Sequence, residues 1–219
     1  MPVFRILHGA GNAGTQRLAS LGALAHHAAV DAVEADVWVH GDAILAHHER
    51  PLGPLPLLLG WNGFRRRSDA LSLHEILEAT DGAAAVIVDL RSWLWDPVPE
   101  LAGALAEEAT RARIRVTCED WRIADRLRAW LPDIHVGYSI RSEAQFRAYL
   151  TGVDAAHLLA TPVAVRHTLL HSADEVALLR RRAGRVGAWT VDDVDRALEL
   201  VAWGVDEITS NHISVLNAL

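Results

Sequence analysis

Hydrophobic and polar positions alternate along the chain with two different periods. Short apolar runs of about four to eight residues are typical of buried strands, and the longer stretches between them repeat apolar residues at helical spacing. Eight strands are predicted: Val3–Leu7, Ala32–Val39, Ala84–Leu90, Ile114–Thr117, Ile134–Ser139, Ala156–Leu159, Val186–Thr190 and Glu207–Thr209. The helices predicted between them are Gln16–Ala29, Ser72–Ala79, Pro99–Arg111, Ile123–Leu131, Glu143–Leu150, Ala173–Ala183 and Val191–Val201.

Strands that alternate with helices are typical of parallel sheets, and eight such units indicate a closed (β/α)8 barrel, the TIM barrel. A doubly wound open sheet is the alternative, but His8–Asn12 lacks the third glycine of a dinucleotide-binding turn. We interpret residues 1–219 as a single barrel domain, because no linker, low-complexity tract or internal repeat interrupts the pattern. Asp192 or Thr190 is expected to cap the helix after the seventh strand, and Gly204 to end it.

Composition narrows the possible functions. The chain of 219 residues has a formal net charge of −7, and all 21 of its basic residues are arginine. This acidic balance argues against a nucleic-acid partner, and the lack of lysine excludes Schiff-base and P-loop lysine chemistry. The single cysteine, Cys118, excludes an intramolecular disulfide. No apolar run is long enough to be a transmembrane segment and no targeting signal is evident, so a cytoplasmic location is expected.

Candidate chemistry lies at the predicted strand ends, where TIM-barrel enzymes place their reactive groups. Glu34 and Asp36 alternate on the second strand and therefore face the same side. Asp89 reaches the same end of the neighbouring strand, although alone it could equally cap the turn that follows. Two carboxylates held close together need a counter-charge, or one of them must take up a proton. Hard divalent cations prefer carboxylate oxygen and are the simplest counter-charge. The three together predict a site for one divalent cation, Mg²⁺ or Ca²⁺.

An ordered set of motifs resembles the glycerophosphodiester phosphodiesterase family over nearly the whole chain. The motifs are His8, Glu34-x-Asp36, His48-Glu49-Arg50-Pro51-Leu52, Asp89-x-Arg91, Leu71–Leu77, Ala188–Val191 and Gly204–Thr209. The departures from the family pattern are Gly9 for arginine, Gln16-Arg17-Leu18 for glutamate-asparagine-threonine, Asp89 for glutamate, Arg91 for lysine and Ser210 for aspartate. Aspartate at residue 89 is similar to the related sphingomyelinase D branch. The motifs therefore define the reaction better than the substrate.

The resemblance implies a metal-dependent phosphodiester hydrolase that cleaves glycerophosphodiesters to an alcohol and glycerol 3-phosphate. The implied site consists of the metal ligands Glu34, Asp36 and Asp89, the acid–base pair His8 and His48, and the substrate contacts Arg91 and Trp189. Histidine suits both proton-transfer roles because its ordinary pKa of about 6.5 lies near neutrality. His47 competes with His48 for one role, since neighbours on a strand face opposite sides, and the family spacing favours His48.

Two other functions stay open. One is a phospholipase D-like or sphingomyelinase D-like enzyme that acts on lysolipid or sphingolipid headgroups with the same metal and histidines. The other is a non-catalytic binder of a phosphate ligand, which the departures at Gly9 and in the first helix allow. In each case the expected partner is a small phosphate-containing molecule, and the oligomeric state is not predicted. The apolar stretch Leu52–Arg67 is interpreted as a lid over the barrel mouth or, alternatively, as a flap that touches lipid.

Overall fold

The computed structural model describes residues 2–10, 18–53, 55–60, 63–92, 96–152 and 161–219. The strands in this part of the chain are β1 (Phe4–Leu7), β2 (Ala32–His40), β3 (Ala43–Ala46), β4 (Arg50–Pro51), β5 (Leu57–Gly60), β6 (Gly63–Arg66), β7 (Leu71–Ser72), β8 (Ala85–Arg91), β9 (Ile114–Cys118), β10 (His135–Ile140), β11 (Pro162–Arg166), β12 (Arg185–Trp189) and β13 (Glu207–Ser210). The α-helices are α1 (Leu18–Ala25), α2 (Leu73–Ala79), α3 (Val98–Ala104), α4 (Glu108–Arg111), α5 (Trp121–Trp130), α6 (Glu143–Gly152), α7 (Ala173–Arg180), α8 (Val194–Ala202) and α9 (Ile213–Asn217).

Eight of the strands close into a parallel barrel, which confirms the predicted (β/α)8 fold. Around the barrel the order is β1, β2, β8, β9, β10, β11, β12 and β13, and β13 pairs again with β1. In this register Asp36 of β2 lies opposite Asp89 of β8, so the two carboxylates meet at the same height. The closed pairing thus brings the carboxyl ends of all eight strands around one opening.

The core lies between the barrel and its helices. In β2 the first six residues are all buried, because a barrel strand is covered on both of its faces. Each of the longer helices contributes leucines or other apolar residues to this layer at helical spacing; Leu21, Leu127, Leu179 and Leu200, from α1, α5, α7 and α8, are completely buried. The opposite face of α5 carries the exposed residues Arg122, Asp125 and Arg126. Burial of these stripes fixes the helices against the barrel.

The sixth barrel strand lies later in the chain than the hydrophobic pattern predicts. The predicted strand Ala156–Leu159 lies outside the described residues, and the sixth strand of the barrel is Pro162–Arg166. Proline is compatible with the first position of a strand, where its missing N–H is tolerated. Val163 and Val165 are buried and alternate with more exposed residues, the pattern of a strand. A short apolar run alone does not distinguish a strand from its neighbours.

The predicted helix Pro99–Arg111 is divided into α3 and α4. Leu105 ends α3, and the Arg111 guanidinium donates to its carbonyl oxygen at 3.0 Å and also to that of Ala106. Orphan carbonyls at a helix end need such donors. The side chain of Arg111 thus stabilises the break between the two helices.

Asp193, rather than Asp192 or Thr190, caps α8. Its carboxylate accepts a hydrogen bond from the backbone N–H of Arg196 at 2.8 Å. This corrects the expected cap by one residue, because the Asp192 carboxylate is bound elsewhere, by residues after β13. Gly204 follows the helix with a φ of +95°, a conformation that glycine adopts without strain, and ends it as predicted.

A second, smaller sheet covers part of the stretch Leu52–Arg67. β4, β5 and β6 pair antiparallel in that order, and they follow the β2–β3 hairpin at the mouth of the barrel. The described residues of this stretch therefore include the paired strands β5 and β6, which form a flap together with β4. Among the helices in the described part of the chain, none combines the length and the apolar character needed to cross a bilayer.

Candidate active site

A cavity of about 880 Å³ opens at the carboxyl ends of the barrel strands. All seven site residues expected from the sequence line it: His8, Glu34, Asp36, His48, Asp89, Arg91 and Trp189. At the opposite, amino-terminal end of the strands the cavity reaches an ion pair between Arg115 and Glu207. Nη1 and Nη2 of Arg115 donate to Oε1 and Oε2 of Glu207 at 2.6 and 2.7 Å. Charged side chains therefore line the cavity at both of its ends.

Three side chains in this cavity could share one cation. A ligand atom of each of His8, Glu34 and Asp36 lies within 4.8 Å of the others. Oδ2 of Asp36 is buried and has no hydrogen-bond partner among the described residues. Glu34 is held in place by the backbone N–H of Gly9, which donates to its Oε2 at 3.2 Å. Gly9 has a φ of +83°, which disfavours any residue with a side chain at this position.

The electrostatics of the carboxylates favour a cation as well. Burial, together with repulsion from Asp36 and other acidic neighbours, raises the pKa of both Glu34 and Asp89 above the ordinary values. Burial would lower the pKa of His8, but the nearby carboxylates and a hydrogen bond from its ring outweigh it and raise the pKa. Without a cation, Glu34 and His8 therefore compete for a proton at 3.5 Å. A divalent cation would supply the missing positive charge.

Arg91 lies among carboxylates. Its guanidinium contacts Oδ1 of Asp36, Oδ2 of Asp89 and Oε1 of Glu119, each at 2.7 Å. These neighbours raise the pKa of Arg91 still further despite burial, so it stays charged. Asp89, expected as the third metal ligand, is thus linked to Asp36 through Arg91 and lies outside the group formed with His8. Its other oxygen accepts from the hydroxyl of Thr117 at 3.4 Å.

His8 is anchored by residues that sequence reasoning missed. Its Nδ1 lies 2.8 Å from Oδ1 of Asn211, which follows β13. Nδ2 of Asn211 donates to Asp192 at 2.7 Å, and its backbone N–H donates to the same carboxylate at 2.8 Å. The hydroxyl of Ser210 adds a third donor at 3.1 Å. These bonds hold the pKa of Asp192 below its ordinary value despite burial, so it remains an ionised acceptor.

His47 and His48 point to opposite sides, as alternation along the chain predicts. The His47 ring is fully buried and stacks on Trp38 at 5.7 Å between centroids, with its Nε2 2.9 Å from Nε2 of His40. Burial lowers the pKa of both His40 and His47 to about 4, so the pair is neutral near pH 7. His48 is exposed and lines the cavity. Only His48 of these three is therefore available to a ligand in the cavity.

Trp189 contributes an unused donor to the cavity wall. Its indole Nε1 is buried, and no acceptor among the described residues lies within hydrogen-bond distance. A buried donor without a partner costs free energy, so a bound ligand that accepts from it gains affinity. Trp189 can therefore offer both an apolar ring and a polar contact.

Glu119 and Asn211 could have been identified from the sequence by their position. Each follows the last residues of a barrel strand, β9 and β13 respectively, which is where TIM-barrel enzymes place functional groups. Glu119 binds Arg91, and Asn211 binds His8. Reading every strand end for polar residues, and not only the first three strands and the seventh, would have found both.

Comparison with known proteins supports the assignment of fold and family. The model of the Glycerophosphoryl diester phosphodiesterase family matches residues 95–215, more than half of the chain. No curated protein sequence matches significantly.

Solved structures share the fold at low sequence identity. A glycerophosphodiester phosphodiesterase from Agrobacterium tumefaciens has a TM-score of 0.71 at 17% identity, covering 99% of this chain and 98% of that one. An Oleispira antarctica phosphodiesterase in complex with the product sn-glycerol-3-phosphate has a TM-score of 0.73 at 17% identity, covering 98% and 96%. One from Thermotoga maritima has a TM-score of 0.70 at 16% identity, covering 96% and 95%. By its family match, the chain belongs to the glycerophosphoryl diester phosphodiesterase family and is a phosphoric diester hydrolase of that kind.

Proposed function

We propose that the protein is a metal-dependent hydrolase that cleaves glycerophosphodiesters to an alcohol and glycerol 3-phosphate. One observation carries the proposal: His8 and His48 line the same cavity as buried carboxylates, and one of these, Asp36, has an oxygen without a hydrogen-bond partner among the residues that the structure describes. The solved structure of the Oleispira antarctica relative contains sn-glycerol-3-phosphate, the expected product.

As ligands of the cation, Mg²⁺ or Ca²⁺, we propose Glu34 and Asp36, which lie close together, and Asp89, which Arg91 links to Asp36. The unpartnered Oδ2 of Asp36 and the raised pKa of Glu34 and Asp89 fit a hard cation with oxygen ligands. When bound, such a cation polarises a phosphate oxygen and lowers the pKa of an adjacent substrate hydroxyl. Arg91 keeps the surrounding carboxylates in place, since it contacts both Asp36 and Asp89.

The two histidines would transfer the protons. One takes the proton of the substrate hydroxyl as its oxygen attacks phosphorus, and the other protonates the departing alkoxide. His8 has Nδ1 occupied by Asn211, so Nε2 is the nitrogen left for this exchange. With a glycerol group, attack by the 2-hydroxyl gives a cyclic phosphate and releases the alcohol, and water then opens the ring to glycerol 3-phosphate.

Arg91 and Trp189 would contact the substrate. The side chain of Arg91 is 23% exposed at the cavity wall and carries a permanent charge that can offset charge on the phosphate. Its planar fork is already engaged by three carboxylates, so its effect on the substrate is electrostatic rather than bidentate. The ring of Trp189 would lie beside the glycerol carbons, with Nε1 available to an oxygen acceptor.

A panel of diesters tests this function. Glycerophosphocholine, glycerophosphoethanolamine and their monoacylated forms are incubated with the enzyme before and after treatment with EDTA, and glycerol 3-phosphate is measured. We expect release from the deacylated diesters, loss after chelation and recovery with Mg²⁺ or Ca²⁺. His48→Ala should lower kcat by about 10²–10⁴-fold, whereas His74→Ala, at an 80% exposed position on α2, should not.

Each other outcome has a clear meaning. Activity that survives chelation contradicts the role of the metal. Headgroup release from the monoacylated lipids alone favours the phospholipase D-like alternative. If the protein binds phosphate ligands yet turns over none of the diesters, it is a non-catalytic binder.

A further inference from the structure

The flap formed by β4, β5 and β6 has two faces of different character. On its inner face, Leu58 of β5 lies opposite Pro51 of β4 and Arg65 of β6. Leu58 is completely buried, and Arg65 forms an ion pair with Glu49 at 3.4 Å. The inner face is therefore satisfied within the protein, by packing and by a local counter-charge.

The outer face carries apolar and cationic side chains together. We define it by Arg50, Leu57, Leu59, Phe64 and Arg66, which the pairing of the three strands places on one side. Leu59 lies opposite both Arg50 and Phe64, and Leu57 lies opposite Arg66. The exposed fractions are 44% for Leu59 and 69% for Phe64, the largest value among the exposed large hydrophobic residues of the described chain. On the outer face, exposed apolar side chains thus lie directly beside arginines.

The two arginines on this face differ in their surroundings from Arg65 on the inner face. Among the described residues, no carboxylate lies within ion-pair distance of Arg50 or Arg66, whereas Arg65 on the inner face is paired. The chain as a whole carries a net charge of −7. The outer face is therefore locally positive, beside an exposed aromatic ring, on a protein whose net charge is negative. A partner that complements this face has negative charge and an apolar layer.

The outer face is also continuous with the mouth of the cavity. Arg50 belongs to the face and lines the cavity, and His48, two residues earlier, lines it too. A surface that covers the outer face therefore lies next to the opening through which a ligand enters. This continuity connects the flap to the candidate active site.

We propose that the outer face docks the protein on an anionic phospholipid surface. Leu59 and Phe64 enter the boundary between headgroups and acyl chains, and Arg50 and Arg66 bind lipid phosphates beside them. Interfacial binding of this kind combines buried apolar area with attraction to anionic lipid. A second copy of the chain is a poorer occupant, because a two-fold contact would bring two such faces together, each with two arginines and no carboxylate among the residues that define it. The docking does not depend on which diester the enzyme cleaves.

Co-sedimentation with vesicles tests the docking. The intact protein is mixed with vesicles of phosphatidylcholine alone or of phosphatidylcholine and phosphatidylglycerol in equal amounts. We expect binding to the mixed vesicles that weakens with added salt, and little binding to phosphatidylcholine alone. Arg66→Gln should lower the partition coefficient about fivefold, the effect of one cation near an anionic surface. Leu59→Ser combined with Phe64→Ser should lower it by about tenfold or more.

Two control variants remove an exposed leucine and an exposed arginine far from the flap in sequence. Leu198→Ser removes a leucine that is 45% exposed on α8, and Arg147→Gln removes an exposed arginine on α6. Neither should change vesicle binding. Far-UV circular dichroism and thermal unfolding verify that each variant is folded. Because Phe64 does not line the cavity, turnover of a water-soluble diester by Phe64→Ser should equal that of the wild type, so docking and catalysis are tested separately.

Several results would overturn the proposal. These are an absence of binding to the mixed vesicles, equal binding to both kinds of vesicle, and binding that the flap variants leave unchanged. A dimer seen by light scattering in the wild type and lost in Phe64→Ser would assign the outer face to a second copy instead.

Discussion

Nδ1 of His8 lies 2.8 Å from Oδ1 of Asn211. The amide of Asn211 can adopt only one orientation here, because its Nδ2 faces the Asp192 carboxylate, which accepts and does not donate. Oδ1 of Asn211 must therefore accept, and Nδ1 of His8 must carry the hydrogen. The neutral ring thus presents Nε2 as an acceptor toward the cavity, the tautomer that proton transfer from a substrate requires.

Loss of this contact should slow catalysis more than it weakens binding. Asn211→Ala removes the acceptor and leaves both the tautomer and the orientation of His8 undefined. Since residues that orient a functional histidine typically contribute 10- to 100-fold to activity, we expect kcat to fall by about that factor with little change in KM. Steady-state kinetics on the best diester of the panel measures the effect, and the pH–rate profile should shift because the proton on Nδ1 is no longer fixed.

An exchange of the two partners distinguishes positioning from folding. Asn211→Asp alone places a second carboxylate beside Asp192 and should be strongly impaired through repulsion. Combined with Asp192→Asn, it restores one acceptor toward His8 and one amide donor behind it. The double variant should recover most of the activity lost in Asn211→Asp. No recovery, with native thermal stability, would contradict the role of this chain of hydrogen bonds.

A divalent cation should stabilise the folded protein. A ligand present at about 100 times its Kd adds about 2.7 kcal/mol to the free energy of unfolding, which for a chain of this size raises Tm by roughly 5–10 °C. The increase should be larger at pH 8 than at pH 6, because the cation must displace the proton that the raised pKa of Glu34 favours. Scanning fluorimetry with Mg²⁺ or Ca²⁺ measures it.

A pair of variants distinguishes cation binding at the candidate site from cation binding to acidic residues elsewhere on the protein. Glu34→Gln should abolish the shift in Tm, whereas Glu78→Gln, at a 67% exposed position, should leave it intact. An equal shift in both variants would mean that the cation binds elsewhere.

Arg91 should stabilise the protein chiefly as a counter-charge. It contacts Asp36, Asp89 and Glu119, so Arg91→Ala leaves crowded carboxylates without their cation. Removal of one partner from a largely buried ion pair costs about 3 kcal/mol, and urea unfolding at pH 7.5 should show a loss of this size. A saturating divalent cation should reduce the loss. Arg122→Ala, on a 90% exposed side chain, is the control and should change little; a loss equal to that of Arg91→Ala would refute the prediction.

The barrel fold and the polar residues at its mouth can be predicted from the sequence. Parallel strands buried on both faces are continuous apolar runs, and polar residues at their ends are therefore conspicuous. Glu34, Asp36 and Asp89 were found in this way. The position of the sixth strand is not determined by the pattern, because the run Ala156–Leu159 is about as apolar and as long as Pro162–Arg166, the strand that the structure describes.

Contacts between strands were not accessible, because they depend on register. The spacing of Asp89 and Arg91 places both on one side of a strand but does not reveal that Asp36 and Glu119 also reach the guanidinium. From sequence, Arg91 is therefore expected as a substrate contact, and its role as counter-charge to the carboxylates is not visible. The partners of His8 likewise come from residues about 200 positions later in the chain, which the closure of β13 on β1 brings together.

Stability should fall as the pH drops below about 6.5, in part through His40 and His47. Burial lowers the pKa of both to about 4 in the folded protein. Between the unfolded value near 6.5 and the folded value near 4, the unfolded chain binds more protons, so the free energy of unfolding decreases as the pH falls through this window. The loss should be on the order of 2 kcal/mol for each histidine between pH 7.5 and pH 4.5. Urea unfolding of the wild type, His40→Asn and the exposed control His74→Asn at both pH values measures this loss. The difference in the free energy of unfolding between the two pH values should become smaller in His40→Asn and stay unchanged in His74→Asn. An equal change in both variants would contradict an origin in the buried pair.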